Sequence, residues 1–227
     1  MTRLPAEFYA RPTLDVLRDL MGKVLVHEAR GVRTAGVIVE AEAYIGESDP
    51  ACHAAPGPTA RNAPLYGPPG RAYVYLNYGL HSLVNAVTEE EGSPAAILIR
   101  ALEPVEGMPA MRRRRLAGRR RDRERLVRGA NRRRRGGGVR VRDLCRGPGN
   151  LTVALGIGLR HNRSDLTRGP LAIEDHGMRS GPLAWSPRIG IRVGADRPWR
   201  CFVAASDCVS GGRAGISGGF ASSRRTP

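Results

Sequence analysis

Glu40, Glu42 and Tyr44 stand at alternate positions in VIVEAEAYIG, residues 37–46. Read as a β-strand, the segment places Ile38, Glu40, Glu42 and Tyr44 on one face and Val37, Val39, Ala41, Ala43 and Ile45 on the other. The two carboxylates then lie roughly 6–7 Å apart along the strand. Like charges at that distance raise the proton affinity of one partner, which is one way to make a general base. The same pair cannot flank a bond from opposite sides, as the acids of carbohydrate hydrolases do. A glutamate on an exposed strand is otherwise an ordinary solvated carboxylate.

A second charged group falls among aliphatics. Arg100, in AAILIRALEP (95–104), is expected on one strand face with Leu98 and Leu102. A guanidinium in that company requires an anion, either in a structural bridge to a glutamate or at a reaction centre. Of eleven Phe, Trp and Tyr residues, Tyr44, Tyr73, Tyr75 and Tyr78 crowd into two short stretches. Core packing is the usual fate of strand tyrosines. The four cysteines and five histidines are dispersed with no C-x-x-C pair, which argues against a zinc or iron–sulfur site and for reduced structural thiols.

The elements that must carry these groups can be read from patterning. TLDVLRDLMGKVLV (13–26) opens with a capping-type Thr13 and repeats Leu14, Leu17 and Met21 at helical spacing before Gly22. KVLVHEA reads as a strand, continued across a turn by GVRTAGVIVEAEAYIG. Residues 47–70 are Gly/Pro-rich loop. Residues 71–87 form two strands with a hairpin tip at Asn77–Gly79. AAILIRALEP is a strand ended by Pro104. GPGNLTVALGI (147–157) starts a helix, and PLAIED, SPRIGIRV and RCFVAAS are short strand-like runs. There is no internal repeat and no βαβ rhythm. The expected fold is α+β: one domain over residues 1–211 with a mixed, mostly antiparallel curved sheet, surrounding helices and a protruding β-hairpin.

The chain has 227 residues and a formal charge of +16. That charge predicts affinity for polyanions, nucleic acid first. Between Arg112 and Arg146 lie seventeen arginines against three acids. Residues 112–142 are expected to be a disordered or partly helical solvated insertion, or an arm that grips phosphates, and residues 212–227 a disordered tail. No apolar run approaches the ~20 residues of a spanning helix, no basic amphipathic helix suggests a membrane surface, and MTRLPAEFYARP lacks the layout of a secretory signal. A cytoplasmic protein is expected.

Five stretches, in order, resemble the alkyladenine (3-methyladenine) DNA glycosylase family: EAEAYIG (40–46), HAAPGPTARNAPLYGPPGRAYVYLNYGLHSLVN (53–85), ILIRALEP (97–104), LCRGPGNLT (144–152) and SPRIGI (186–191) followed by RPWRCFV. The resemblance implies a base-excision enzyme acting on damaged purines in double-stranded DNA, with no metal or cofactor. It implies that Glu42 activates the attacking water and that Arg100 helps hold that water. Tyr44, His53 and Tyr75 would surround a flipped base, Asn85 would line the pocket floor, and Tyr78 would wedge into the vacated stack. Arg61, Arg71 and Arg146 would meet the DNA backbone. Asn150 departs from the family, which usually has lysine there. Lys23 is the only lysine and lies far in sequence from the glutamates, so amine-based strand cleavage is disfavoured and a water-using, monofunctional enzyme is expected. A monomer is the simplest state. A non-catalytic arginine-rich nucleic-acid-binding protein on the same scaffold is the rival reading; it leaves Glu42, Tyr75, Tyr78 and Arg100 without a purpose.

Overall fold

The computed structural model describes residues 1–126 and 138–211. Strand β1 (Thr2–Arg3) and helices α1 (Ala6–Tyr9) and α2 (Thr13–Leu20) lead into β2 (Val24–Ala29) and the long β3 (Val32–Ile45). The turn between β2 and β3 has both Arg30 and Gly31 at positive φ, the pattern that suits the right-handed twist of a tight hairpin. Then follow β4 (Ala72–Asn77), β5 (His81–Val87), β6 (Ala95–Glu106), α3 (Met108–Leu126), α4 (Pro148–Leu155), β7 (Leu171–Asp175), β8 (Leu183–Ser186) and β9 (Arg200–Val203).

Among the described residues all strand pairings are antiparallel, in one nine-stranded sheet ordered β1-β7-β2-β3-β6-β5-β4, with the β8–β9 pair joined to it at β3. The sheet forks at β3. Its first half pairs with β2, while Glu40–Glu42 pair with β9 on that same edge, and β6 follows it along the other. The main core lies between the sheet and the helices; it holds Tyr9, Leu17, Leu20, Ile97, Ile99, Met111, Leu151 and Leu155. The expected α+β domain with a projecting hairpin is the one observed.

Four local readings need correction. Thr13 does not cap α2: it sits in the first turn, and its hydroxyl donates to Glu89 Oε1 at 2.6 Å. Leu14 faces out, and Val16, Leu17 and Leu20 form the buried stripe. Pro104 does not end β6, because it lies opposite Gly36 at a register shift where β6 carries an extra residue and no ladder N–H is needed. Of SPRIGIRV only Ser186 is in a strand; beyond it the Ile189 N–H serves the Glu42 side chain, and the Arg188 side chain bonds the Ala43 carbonyl and Asp49.

The arginine-rich stretch is helical as far as Leu126, as the end of α3, in keeping with the partly helical alternative. The helix is anchored by Met111 in the core and by Arg114, whose Nη1 donates to the Ala154 carbonyl at 3.0 Å. The disorder expected for 127–137 and for the tail from 212 falls outside the described residues.

Candidate active site

Strict alternation along β3 would leave Ile38 beside the glutamates. Two compensating irregularities prevent this. Between the pairs Ile38↔Leu102 and Glu40↔Ala101, β3 advances two residues and β6 one; between Glu40↔Ala101 and Ala41↔Ile99, β6 advances two and β3 one. Val39 and Arg100 are therefore the extra residues, the local signature of β-bulges, which re-aim side chains. Ile38 and Leu102 join the main core with Ala41, Ala43 and Ile99, while Val39 packs with Phe202 in a separate cluster. Leu102 thus does not share a face with Arg100, as regular alternation had suggested. Arg100 turns toward Glu40 and Glu42.

Both carboxylates are fully buried. Glu40 accepts four hydrogen bonds. Its Oε1 receives Arg100 Nε at 2.9 Å, Arg200 Nε at 2.8 Å and Ser210 Oγ at 2.9 Å; its Oε2 receives the Ser210 N–H. Three of the four donors crowd on Oε1, although an oxygen of a carboxylate offers about two acceptor sites. Glu42 accepts three: Ile189 N–H on Oε1 at 2.7 Å, and Tyr44 Oη and Arg100 Nη1 on Oε2 at 2.9 and 3.1 Å. One site on Oε1 is left for a water. Burial pushes the Glu42 carboxyl up, against the pull of Arg100, the Ile189 amide and Tyr44, with the charge of Glu40 adding to the upward shift. Burial disfavours the Arg100 charge, but Glu42 and Glu40 together hold its pKa above the usual arginine range.

The three donors to Glu42 line a cavity of about 380 Å³, within the ~300–1,000 Å³ typical of small-ligand sites. Tyr75, Tyr73, His53, Asn85 and Leu98 complete much of its wall. His53 meets the Tyr75 ring edge-on at 4.5 Å, and its Nδ1 lies 2.8 Å from Tyr73 Oη. Burial, reinforced by the Arg61 charge, lowers the His53 pKa and favours a neutral ring. Burial likewise pushes Tyr75 up to about 12, so its phenol stays protonated. Asn85 lines the cavity while its Nδ2 donates to the Tyr73 carbonyl at 2.9 Å. Among the described residues no three His, Cys, Asp or Glu side chains are grouped to hold a metal.

At the cavity mouth stands the β4–β5 tip. Tyr78 is 88% exposed and Gly79 follows it, both at positive φ (48° and 69°), with Leu80 N–H closing on Asn77 O at 3.0 Å. A bulky residue in the left-handed region is strained, and this one gains almost no burial in exchange.

A family model described as methylpurine-DNA glycosylase matches residues 7–207. The chain belongs to the methylpurine-DNA glycosylase family. It is 43% identical over 214 residues to a protein of Methanocella arvoryzae, covering 92% of this chain and 96% of the relative. It is 47% identical over 186 residues to one from Rubrobacter xylanophilus (82% and 85%), and 44% identical over 222 residues to one from Salinibacter ruber (92% and 97%). All three carry the provisional name 3-methyladenine DNA glycosylase. The chain is thus a DNA glycosylase of a family that handles alkylated bases in DNA repair.

Within the glycosylase fold, Glu42, Arg100, Tyr44, His53, Tyr75, Asn85 and Tyr78 all converge on the one cavity or the carboxylate behind it. The three arginines singled out for the DNA backbone are more scattered. The Arg61 guanidinium lies 6.0 Å from the Tyr75 ring centroid. Arg71 pairs with Asp165 at 3.3 Å, and Arg146 donates to the Val209 carbonyl at 2.8 Å. Asn150 donates to the Arg146 carbonyl at 2.6 Å.

Sequence reasoning missed a second buried pair. Arg188 and Asp49 bond through both guanidinium nitrogens at 2.5 and 2.8 Å, and Arg188 also donates to the Ala43 carbonyl. The Arg188 guanidinium packs over the Tyr44 ring at 4.7 Å, and the next residue supplies the amide that holds Glu42. The hint was an arginine between Pro187 and Ile189, where a solvated charge would be out of place.

Proposed function

We propose that the protein hydrolyses the N-glycosylic bond of alkylated or deaminated purines (3-methyladenine, 7-methylguanine, hypoxanthine and ethenoadenine) in duplex DNA, and leaves an abasic site. The damaged nucleotide rotates out of the stack into the cavity, where Tyr44, Tyr75 and His53 offer aromatic faces that suit an electron-poor alkylated purine. Tyr78 fills the gap left in the duplex, which otherwise costs a few kcal/mol of lost stacking, roughly. Glu42 takes a proton from a water at its open Oε1 site as that water attacks C1′ of the deoxyribose. The sugar passes through an oxocarbenium-like state, and the same carboxylate stabilises its positive charge. Arg100 fixes the Glu42 carboxylate in place.

The observation that carries this reading is the unequal setting of two adjacent buried glutamates: all three donors to Glu42 line the aromatic cavity, whereas of the donors to Glu40 only Arg100 does. A binding protein has no use for that asymmetry. Hydrolysis by water rather than by an amine is supported by Lys23, whose Nζ is bound to Asp175 at 2.6 Å and which is not part of the cavity wall.

The test is release of free base from duplexes bearing hypoxanthine, ethenoadenine or 3-methyladenine. Glu42→Gln should keep DNA binding and lose about 10²–10⁴-fold in excision rate; excision at the native rate would refute the role of Glu42. Borohydride should trap no covalent protein–DNA complex, and a trapped complex would overturn the water-based mechanism.

A further inference from the structure

Arg100 divides its three donor nitrogens among three acceptors. Nε goes to Glu40 at 2.9 Å, Nη1 to Glu42 at 3.1 Å and Nη2 to Ser210 Oγ at 3.3 Å. Glu40 in turn draws on a second guanidinium, Arg200, which lies opposite Glu42 in the β3–β9 ladder but bonds the Glu40 carboxylate, and which is tied down by Ser186 Oγ and the Ser210 carbonyl at 2.8 and 2.9 Å. Two buried carboxylates thus face two buried guanidiniums, but unevenly: Glu40 bonds both arginines and Glu42 only one, and that one is shared.

We propose that Glu40 is a positioning residue for the reaction: by claiming part of Arg100, it keeps that guanidinium locked in place as a hydrogen-bond donor to Glu42 without letting it neutralise the base. An arginine paired with Glu42 alone would orient the carboxylate equally well, but would also stabilise its ionised form and weaken it as a proton acceptor. A lone Glu42 without Arg100 would lose its orientation. The shared arrangement gives orientation at a reduced electrostatic cost, and Arg200 offsets the charge of Glu40 so that the extra acid can be buried at all. The inference rests on the reading of Glu42 as the base.

The other groups that face Glu42 stay constant in the test below: Tyr44 on β3, Tyr75 on β4, and Arg188 in the segment after β8. The experiment is single-turnover excision across pH on a duplex carrying 7-methylguanine, whose departing base is already cationic and needs no proton. The acid limb then reports the base alone. Glu40→Gln removes the competitor for Arg100 and should move the limb down by about one pH unit, with a slower plateau. Arg200→Met makes Glu40 depend on Arg100 more heavily and should move the limb up.

Opposite displacements are the signature, since a merely structural role would slow both variants without separating their limbs. If Glu40→Gln does not fold, Arg200→Met still decides: an unmoved or lowered limb overturns the inference. Limbs that stay put while Glu42→Gln is inactive would sink only the role of Glu40. A Glu42→Gln protein that still excises would sink the base assignment and this inference with it.

Discussion

At the scale of single residues, the site depends on buried charges that each have a named partner. Asp49 and Arg188 are fully buried and mutually bidentate, and they hold the segment that presents the Ile189 amide to Glu42. Arg188→Met leaves buried Asp49 with only Arg197, 3.8 Å away, as counter-charge, which should cost up to about 3 kcal/mol in urea unfolding and lower excision as the Glu42 amide contact loosens. Although burial opposes its ionisation, the Arg188 guanidinium keeps the Asp49 carboxyl below the usual aspartate value. Its contribution to stability is therefore in place above about pH 4 and is lost as pH falls through the lowered value. Glu42 runs the other way. Its raised pKa should appear as an acid limb of the excision profile centred above the ordinary glutamate value of about 4.3; a limb at or below that value would contradict the desolvated environment described here.

At the scale of elements, the hairpin and the bulged β3–β6 pair have different tasks. The bulges at Val39 and Arg100 aim charge into the site while keeping Ile38 and Leu102 in the core. The hairpin carries a strained, exposed tyrosine outward. Replacing it tests whether strain is retained for function. Tyr78→Gly relieves the left-handed backbone cost, so stability should be unchanged or higher by up to about 1 kcal/mol, while excision from duplex DNA falls. A single-stranded substrate, which has no stack to fill, should be less affected. Equal losses on both substrates would remove the wedge role.

For the whole molecule, the charge of +16 sets how the protein finds its substrate. Binding to undamaged duplex should weaken with salt, with a log–log slope of about −0.9 for each phosphate neutralised. Arg61→Gln, Arg71→Gln and Arg146→Gln should each flatten the slope by about that amount if the side chain reaches a phosphate. Arg71 and Arg146 would have to give up part of their present contacts to do so. An unchanged slope would remove that arginine from the interface.

The fold class, the hairpin and most strands were legible because period-two alternation and turn residues are local properties of the chain. The motif residues Glu42, Tyr44, Tyr75 and Arg100 were legible as types that need partners: acids near one another, a cation among aliphatics, aromatics crowded together. The shared face of Glu40, Glu42 and Tyr44 was legible from alternation, but the turn of Ile38 and Leu102 into the core was not, because one inserted residue in a strand reverses the side chains on one side of it and leaves the hydrophobic pattern plausible either way. Nor could periodicity have assigned SPRIGIRV, whose backbone is held by Glu42 and whose Arg188 is held by Asp49, residues far off in the chain. Composition and local pattern determined that this is a basic α+β protein bearing an acid–arginine–tyrosine set. Only the tertiary structure decided which glutamate is held by donors from the cavity wall and which is tied to Arg200 and Ser210 away from it, because hydrogen-bond partners are supplied by neighbours in space rather than in sequence.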